Sequence, residues 1–142
     1  MACYLRAWGT TFDVDAFLSL SPLSWDPVWR KGQKKQIVLN GHKAEHDDAG
    51  ATTLVTDVGE TLEAMAPGAI AFLVANDAEM HRLSSCPGIE RVCLDFGVAW
   101  YEDMAAQYSR LPPELLRLAG SHGCWIEISH YLSSREPEVS SE

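Results

Sequence analysis

The densest group of possible metal ligands in this chain lies between residues 42 and 48. The group consists of His42, Glu45, His46, Asp47 and Asp48. A metal site needs ligands that converge on one point, and an H-x-x-x-H pair converges when both histidines lie on one helical face. Gly41 and Gly50 frame this stretch as a loop instead. We expect a solvated loop with no bound metal and no cofactor. A small metal-dependent or hydrolytic enzyme that uses this loop is the alternative.

A second combination would place a nucleophile near a base, with Cys124 between His122 and His130. However, His122 follows a predicted helix, where an imidazolium cation interacts favourably with the helix dipole. His130 alternates with Ile126 and Ile128, which places it in or beside the core. The pattern favours structural roles for all three residues of the combination.

Two carboxylates, Asp95 and Glu127, are predicted to share a sheet face with Arg91. A cross-strand ion pair explains this arrangement better than paired acid–base catalysis does. The chain also has no glycine-rich phosphate-binding loop. We therefore predict that the protein is not an enzyme.

The stretch Ile89 to Trp100, IERVCLDFGVAW, is predicted to be the central strand that positions these residues. Its apolar residues Val92, Leu94, Phe96, Val98 and Trp100 alternate with the others, as on one face of a strand. Cys3 to Trp8 and Trp125 to Tyr131 alternate in the same way. These strands predict a single α+β domain over residues 1–132, a mostly antiparallel sheet with about three helices packed on it. Residues 133–142 lack apolar content and are predicted to be a disordered tail.

Helical segments are expected between these strands. Asp13 can cap a short helix from Val14 to about Leu20. A longer helix should run from Leu62 through Leu73, with capping-box spacing that starts at Asp57. Pro67-Gly68 conflicts with this pattern, so that either the helix bends there or Pro67 opens its main segment.

The remaining segments are predicted as strands, turns and a last helix. Trp25 to Lys31 and Gln33 to Leu39 would form a hairpin around Gly32, and Asn40-Gly41 is a second turn signal. Ala51 to Thr56 reads as a strand, and Met104 to Ser109 as a short strand that pairs back on the central one. A helix is expected to start at Pro112-Pro113 and to end at Gly123.

Charge is unevenly distributed along the 142 residues. The net charge is −9, and from Ala44 onward five basic residues face seventeen acidic ones, a balance of −12. This balance argues against nucleic-acid binding through phosphates, which requires a basic face. It fits a basic protein partner, although an acidic surface also simply keeps a protein soluble.

The sequence also predicts the cellular location of the protein. The start of the chain has no signal-peptide pattern, and no apolar run approaches the roughly 20 residues of a membrane span. Cys3, Cys93 and Cys124 lie in predicted strands and are expected to be small buried residues. We expect a cytoplasmic protein with free thiols and no contact with membranes.

Three stretches resemble those of the bacterial domain of unknown function 4279 family. They are FDVDAFL near the start, W-R-K-G at Trp29 to Gly32, and LPPELLRLAGSHGCWIEISHY at Leu111 to Tyr131. The resemblance covers nearly the whole chain and implies an α+β fold. It also implies the company of small acidic immunity proteins that neutralise bacterial toxins. It supplies no catalytic residues.

Together these observations predict a non-enzymatic acidic binding protein. Its most concrete form is an immunity-type inhibitor, or antitoxin, that binds a basic toxin domain directly. Five residues are expected to contact the partner: Asp95, Glu102, Asp103, Trp125 and Glu127. Trp29, which lies among basic residues, marks an alternative surface that would suit an acidic partner. A structural homodimer, formed through a sheet edge or face, is the remaining alternative.

Overall fold

The computed structural model describes residues 1–36 and 38–134. Within these residues the chain forms a five-stranded sheet and four helices, an α+β architecture as predicted. In chain order the strands are β1 (Cys3–Gly9), β2 (Val28–Trp29), β3 (Ala49–Thr56), β4 (Arg91–Tyr101) and β5 (Trp125–Ser133). The helices are α1 (Val14–Leu18), α2 (Leu62–Ala75), α3 (Asp77–Ser84) and α4 (Pro113–Ser121). None of the described helices combines the length and the apolar character needed to cross a bilayer.

The sheet has β1 at its centre, in the order β2-β3-β1-β4-β5. β1 is antiparallel to both β3 and β4, and β2 adds two antiparallel pairs at one edge. β5 lies at the other edge and runs parallel to β4, with Trp125 opposite Cys93. A parallel pair needs a crossover connection, which here contains α4. The sheet is therefore mostly antiparallel, as the alternation predicts.

One side of the sheet, the helix-covered face, holds the core. Its central side chains are Cys3, Leu5, Ala7, Val92, Leu94, Phe96 and Val98, none of them more than 3% exposed. They belong to one apolar cluster with Leu62, Met65 and Leu73 of α2. Burying each large side chain of this kind contributes about 1.5–3 kcal/mol, so this face supplies most of the stability of the fold.

The helix starts follow from local hydrogen bonds. Asp13 caps α1 as predicted, because its Oδ1 accepts a hydrogen bond from the Ala16 N–H at 3.1 Å. The capping-box prediction at Asp57 is wrong, because the chain turns at Gly59 with φ +115°. Thr61 caps α2 instead, and its Oγ1 accepts from the Ala64 N–H at 3.2 Å.

The Pro67-Gly68 pair lies inside α2, so Pro67 does not open the helix. Proline removes one backbone hydrogen bond there. Close packing explains the glycine at position 68, because a Cβ there would lie 2.8 Å from Oγ1 of Thr56. The glycine thus lets α2 approach β3 closely.

The predicted hairpin around Gly32 is wrong. β2 contains only Val28 and Trp29, and it pairs with β3. The segment after Gly32 instead runs beside the 42–48 stretch, with hydrogen bonds from Gly32 N to His46 O and from His46 N to Gln33 O. The turn closes at residues 39–42, so the Asn40-Gly41 signal is confirmed.

Two further predictions need correction near the end of the chain. Met104 to Ser109 is irregular and forms no strand. β5 includes Ser133, the first residue of the predicted tail, while residues 135–142 of that tail lie outside the described part of the chain. α4 starts at Pro113, and Gly123 follows it with φ +61°, as predicted.

Candidate protein-binding face

The other side of the sheet, the open face, carries aromatic and charged side chains. All four described helices contribute apolar side chains to the core on the opposite side, among them Phe17, Leu73, Met80 and Leu115. The strand registers place the following residues on the open face: Tyr4, Arg6, Trp8, Trp29, Thr52, Leu54, Arg91, Cys93, Asp95, Trp125, Glu127, Ser129 and Tyr131. This face therefore offers aromatic and charged side chains with which the fold could bind another molecule.

An ion pair lies at the middle of the open face. Arg6 on β1 binds Asp95 on β4, and Ser129 on β5 donates its hydroxyl hydrogen to Asp95 Oδ1 at 2.6 Å. Asp95 is only 4% exposed beneath these partners. Asp95 therefore does not offer a free carboxylate to a partner, and its ion-pair partner is Arg6 rather than the predicted Arg91.

Arg91 lies over aromatic rings instead of pairing with a carboxylate. Its guanidinium carbon is 3.9 Å from the ring centre of Trp125 and 5.9 Å from that of Trp8. Such cation–π contacts orient an arginine and a tryptophan without burying either one. Trp125 remains 57% exposed, so most of its ring is available to a partner.

Burial disfavours the thiolate form of the cysteines on and near this face. Burial, and to a smaller extent the charge of Glu127, raises the pKa of Cys93 to about 11. Burial likewise raises the pKa of Cys124 to about 12. Both remain protonated thiols at neutral pH, while nucleophilic catalysis needs the thiolate. This agrees with the structural role predicted for Cys124.

Trp29 forms the β2 end of the open face. Its indole lies directly on Gly50, because a Cβ at this glycine would be 2.3 Å from a ring carbon of Trp29. The indole N–H donates to Asp48 Oδ1 at 2.8 Å, and the ring of His46 stacks on the indole at 5.9 Å. The prediction of a solvated 42–48 loop is thus wrong for His46 and Asp48, which hold Trp29 in place.

A groove of about 680 Å³ runs across the open face, between Trp29 on one side and Tyr131 on the other. Arg6 and Asp95 lie along it. Tyr131 packs against Gly97, where a Cβ would be 3.3 Å from a carbon of the tyrosine ring. Tyr131 is nevertheless 53% exposed and Tyr4 is 40% exposed. The groove therefore combines fixed aromatic rings with charged side chains.

The six predicted contact residues fall into two places. Asp95, Trp125, Glu127 and Trp29 share the open face, so Trp29 does not mark a separate surface. Glu102 and Asp103 follow the end of β4 and border a depression of about 400 Å³. The eight residue steps from Cys93, which lies opposite Trp125, to Tyr101 span roughly 26 Å of strand. Glu102 and Asp103 thus lie at the far end of the sheet from Trp125.

The sequence prediction missed Tyr4, Arg6, Trp8 and Tyr131. The alternation of β1 and β5 was a usable signal, since it separates these residues from the core positions. What the sequence lacked was the strand order that brings them together.

Comparison of the chain with models of known protein families, with curated proteins and with solved structures finds no match. The resemblance to the domain of unknown function 4279 family therefore stays a prediction.

Proposed function

We propose that this protein is a binding module that contacts a protein partner through the open face of its sheet. One observation carries the proposal, namely the exposure of Trp125, Tyr131 and Tyr4 on a sheet face to which the described helices contribute no cover. Tryptophan, tyrosine and arginine are the residues most enriched in the energetic centres of protein interfaces.

The rings and charges of the open face are held in place before any partner arrives. Trp29 lies on Gly50 with its N–H bound by Asp48, and Tyr131 packs against Gly97. The ion pair between Arg6 and Asp95 is similarly fixed. Binding then orders few side chains, which lowers the entropic cost of association.

The charge of the chain favours a basic partner. The balance is −12 from Ala44 onward, and Glu127, Glu102 and Asp103 belong to that part. The basic stretch around Trp29 is partly neutralised within the chain, because Arg30 pairs with Asp15 and Lys43 with Asp47. This weakens the alternative of an acidic partner at Trp29.

The specific form of the proposal is an immunity-type inhibitor that neutralises a basic bacterial toxin domain by occluding it. The acidic charge, the fixed aromatic face and the resemblance described above support this form. Inhibition by occlusion is steric and electrostatic and needs no cofactor. A cytoplasmic location and the absence of nucleic-acid and membrane contacts are parts of the same proposal.

The first experiment identifies the partner and tests the face. Wild-type protein captures partners from a lysate of its source, and the dissociation constant of each candidate is then measured with purified proteins. Trp125→Ala should weaken binding of the true partner by about 30-fold or more, the effect of an interface residue worth at least 2 kcal/mol. The protein should also suppress the activity of that partner in proportion to occupancy.

A matched control uses the opposite side of the molecule. Leu116 on α4 is 50% exposed, so Leu116→Ala removes a comparably exposed apolar group away from the open face. This control should bind like wild type. Binding that survives Trp125→Ala and fails with Leu116→Ala would place the interface on the helices.

The electrostatic part is tested through association rates. The variant Glu102→Gln, Asp103→Asn, Glu127→Gln should associate more slowly than wild type at low salt. The difference should vanish near 1 M salt, where charges are screened beyond roughly 3 Å. Association rates that are equal in both proteins at low salt would remove the basic partner from the proposal.

A homodimer is the second candidate, and the position of β5 favours it. This nine-residue strand lies at the sheet edge, where the strand order places no described neighbour on its outer side. An unpaired edge can add a strand from another copy. A mass that rises with concentration in light scattering, and falls after Leu132→Lys on β5, would favour the homodimer over the inhibitor.

A further inference from the structure

Three side chains from two helices meet on the helix side of the molecule. Asp77 and His81 lie one turn apart on α3, and His122 directly follows α4. His122 Nε2 is 3.3 Å from Asp77 Oδ1, and His81 Nε2 is 3.5 Å from Asp77 Oδ2. One ligand atom from each residue lies within 4.8 Å of the other two.

His122 is the unusual member of this group. It is only 3% exposed, yet neither of its ring nitrogens has a hydrogen-bond partner within the described residues. Its 3.3 Å approach to Asp77 lacks the alignment of a hydrogen bond. Buried polar atoms in folded proteins almost always have partners, so an imidazole in this state requires an explanation.

We infer that Asp77, His81 and His122 bind one zinc ion. Imidazole nitrogen and carboxylate oxygen are both zinc ligands, at about 2.0–2.2 Å. Two such ligands at the corners of a tetrahedron lie roughly 3.3–3.5 Å apart. The two nitrogen–oxygen distances given above have this length, but they reach different oxygens of the Asp77 carboxylate. The exposed side chains of Asp77 and His81 must therefore turn for all three ligands to meet at one ion.

The site has two exposed ligands and one buried ligand. The side chains of Asp77 and His81 are 62% and 64% exposed, so the ion can enter from solvent. The buried His122 would occupy the third tetrahedral position around the ion. Three protein ligands leave the fourth tetrahedral position to water. The ion would join α3, which ends at Ser84, to α4, which begins at Pro113.

Two of the three zinc ligands could be predicted from the sequence. The spacing D-x-x-x-H places Asp77 and His81 on one helical face. The third ligand, His122, comes close to them only through the packing of α4. Sequence spacing therefore could not identify it. The site lies on the helix side of the sheet, so the inference is independent of the proposed function.

Zinc titration of the full-length, untagged protein tests this inference. Metal is first removed with a chelator, and zinc chloride is then added in a calorimeter. We expect one zinc per chain with micromolar or tighter affinity. His81→Ala and Asp77→Asn should each weaken binding by roughly 100-fold or more, since the loss of a mere supporting residue already costs 10–100-fold. Cobalt in place of zinc should give the intense visible absorption of a tetrahedral complex.

The control is His42→Ala, which removes an exposed histidine from the other ligand-rich stretch. It should bind zinc like wild type. His81 and Asp77 are exposed, so their variants should keep the fold even where His122→Ala does not. Absence of stoichiometric zinc, or affinity unchanged in His81→Ala and Asp77→Asn, would overturn the inference and leave His122 as an ion-pair partner of Asp77.

Discussion

The helix-covered face and the open face are built from the same strands, but different interactions hold them. On the covered face, Leu5, Leu94 and Phe96 are completely buried against the helices. On the open face, Arg6, Asp95 and Arg91 form ion pairs and cation–π contacts with neighbouring strands. The covered face supplies most of the stability of the fold. The open face presents fixed charged and aromatic side chains to solvent.

β4 shows how far the open face differs from an ordinary solvent-exposed sheet. Cys93, Asp95 and Gly97 point away from the helices, yet all three are buried. Long side chains of adjacent strands cover them, including Arg6 and Tyr131. The open face therefore has its own layer of side-chain packing, one residue deep. The following predictions test how much each face contributes.

The largest effect is expected on the covered face. Phe96→Ala removes a completely buried ring from β4, which lies beside the central strand, and should lower the free energy of unfolding by about 3–5 kcal/mol. Urea denaturation measures this change. An unchanged midpoint would show that Phe96 does not lie in the core.

An intermediate effect is expected at the ion pair of the open face. Asp95→Ala should cost roughly 1–3 kcal/mol, because it leaves Arg6 and the Ser129 hydroxyl without their acceptor. A double-mutant cycle with Arg6→Ala measures the coupling between the two residues, and it should be clearly favourable. The exposed pair of Arg30 and Asp15 is the control, and its coupling should be much smaller. Equal couplings would mean that the open face has no packed layer.

The smallest effect is expected at Cys93 in alkali. Its folded-state pKa of about 11 lies above the ordinary value of 9.0, so the folded protein holds this proton more tightly than the unfolded chain does. The resulting stabilisation is complete below pH 9 and is lost as the pH rises through about 11.

Denaturation midpoints between pH 8 and pH 11 check this prediction for wild type and for Cys93→Ala. The gap between the two proteins should narrow as the pH rises. Cys86→Ala is the comparison: burial also raises the pKa of Cys86, but this thiol is only half-buried, so its gap to wild type should narrow less. Parallel curves for wild type and Cys93→Ala would show that this thiol is accessible to water in the folded protein.

The sequence predicted the features that depend on local periodicity. The alternation in β4 identified Phe96 as core, and Asp13 and Gly123 marked helix ends correctly. The ion pair of Arg6 with Asp95 could not be predicted, because it depends on which strands are neighbours. The position of Trp29 could not be predicted either. β2 is only two residues long, and the Trp29 ring packs on Gly50 of β3. Such contacts are set by tertiary packing, which single-sequence patterns do not contain.

The central position of β1 has a consequence for the timing of folding in the cell. β1 is the first strand of the chain, but it pairs with β4, where Cys3 lies opposite Phe96. At synthesis rates of roughly 5–20 residues per second, β1 is made on the order of 5–20 s before β4. During this interval the strand that becomes the middle of the sheet has an unpaired edge. An unpaired strand edge can pair with another chain, so this edge of β1 is a possible site of aggregation until β4 is made.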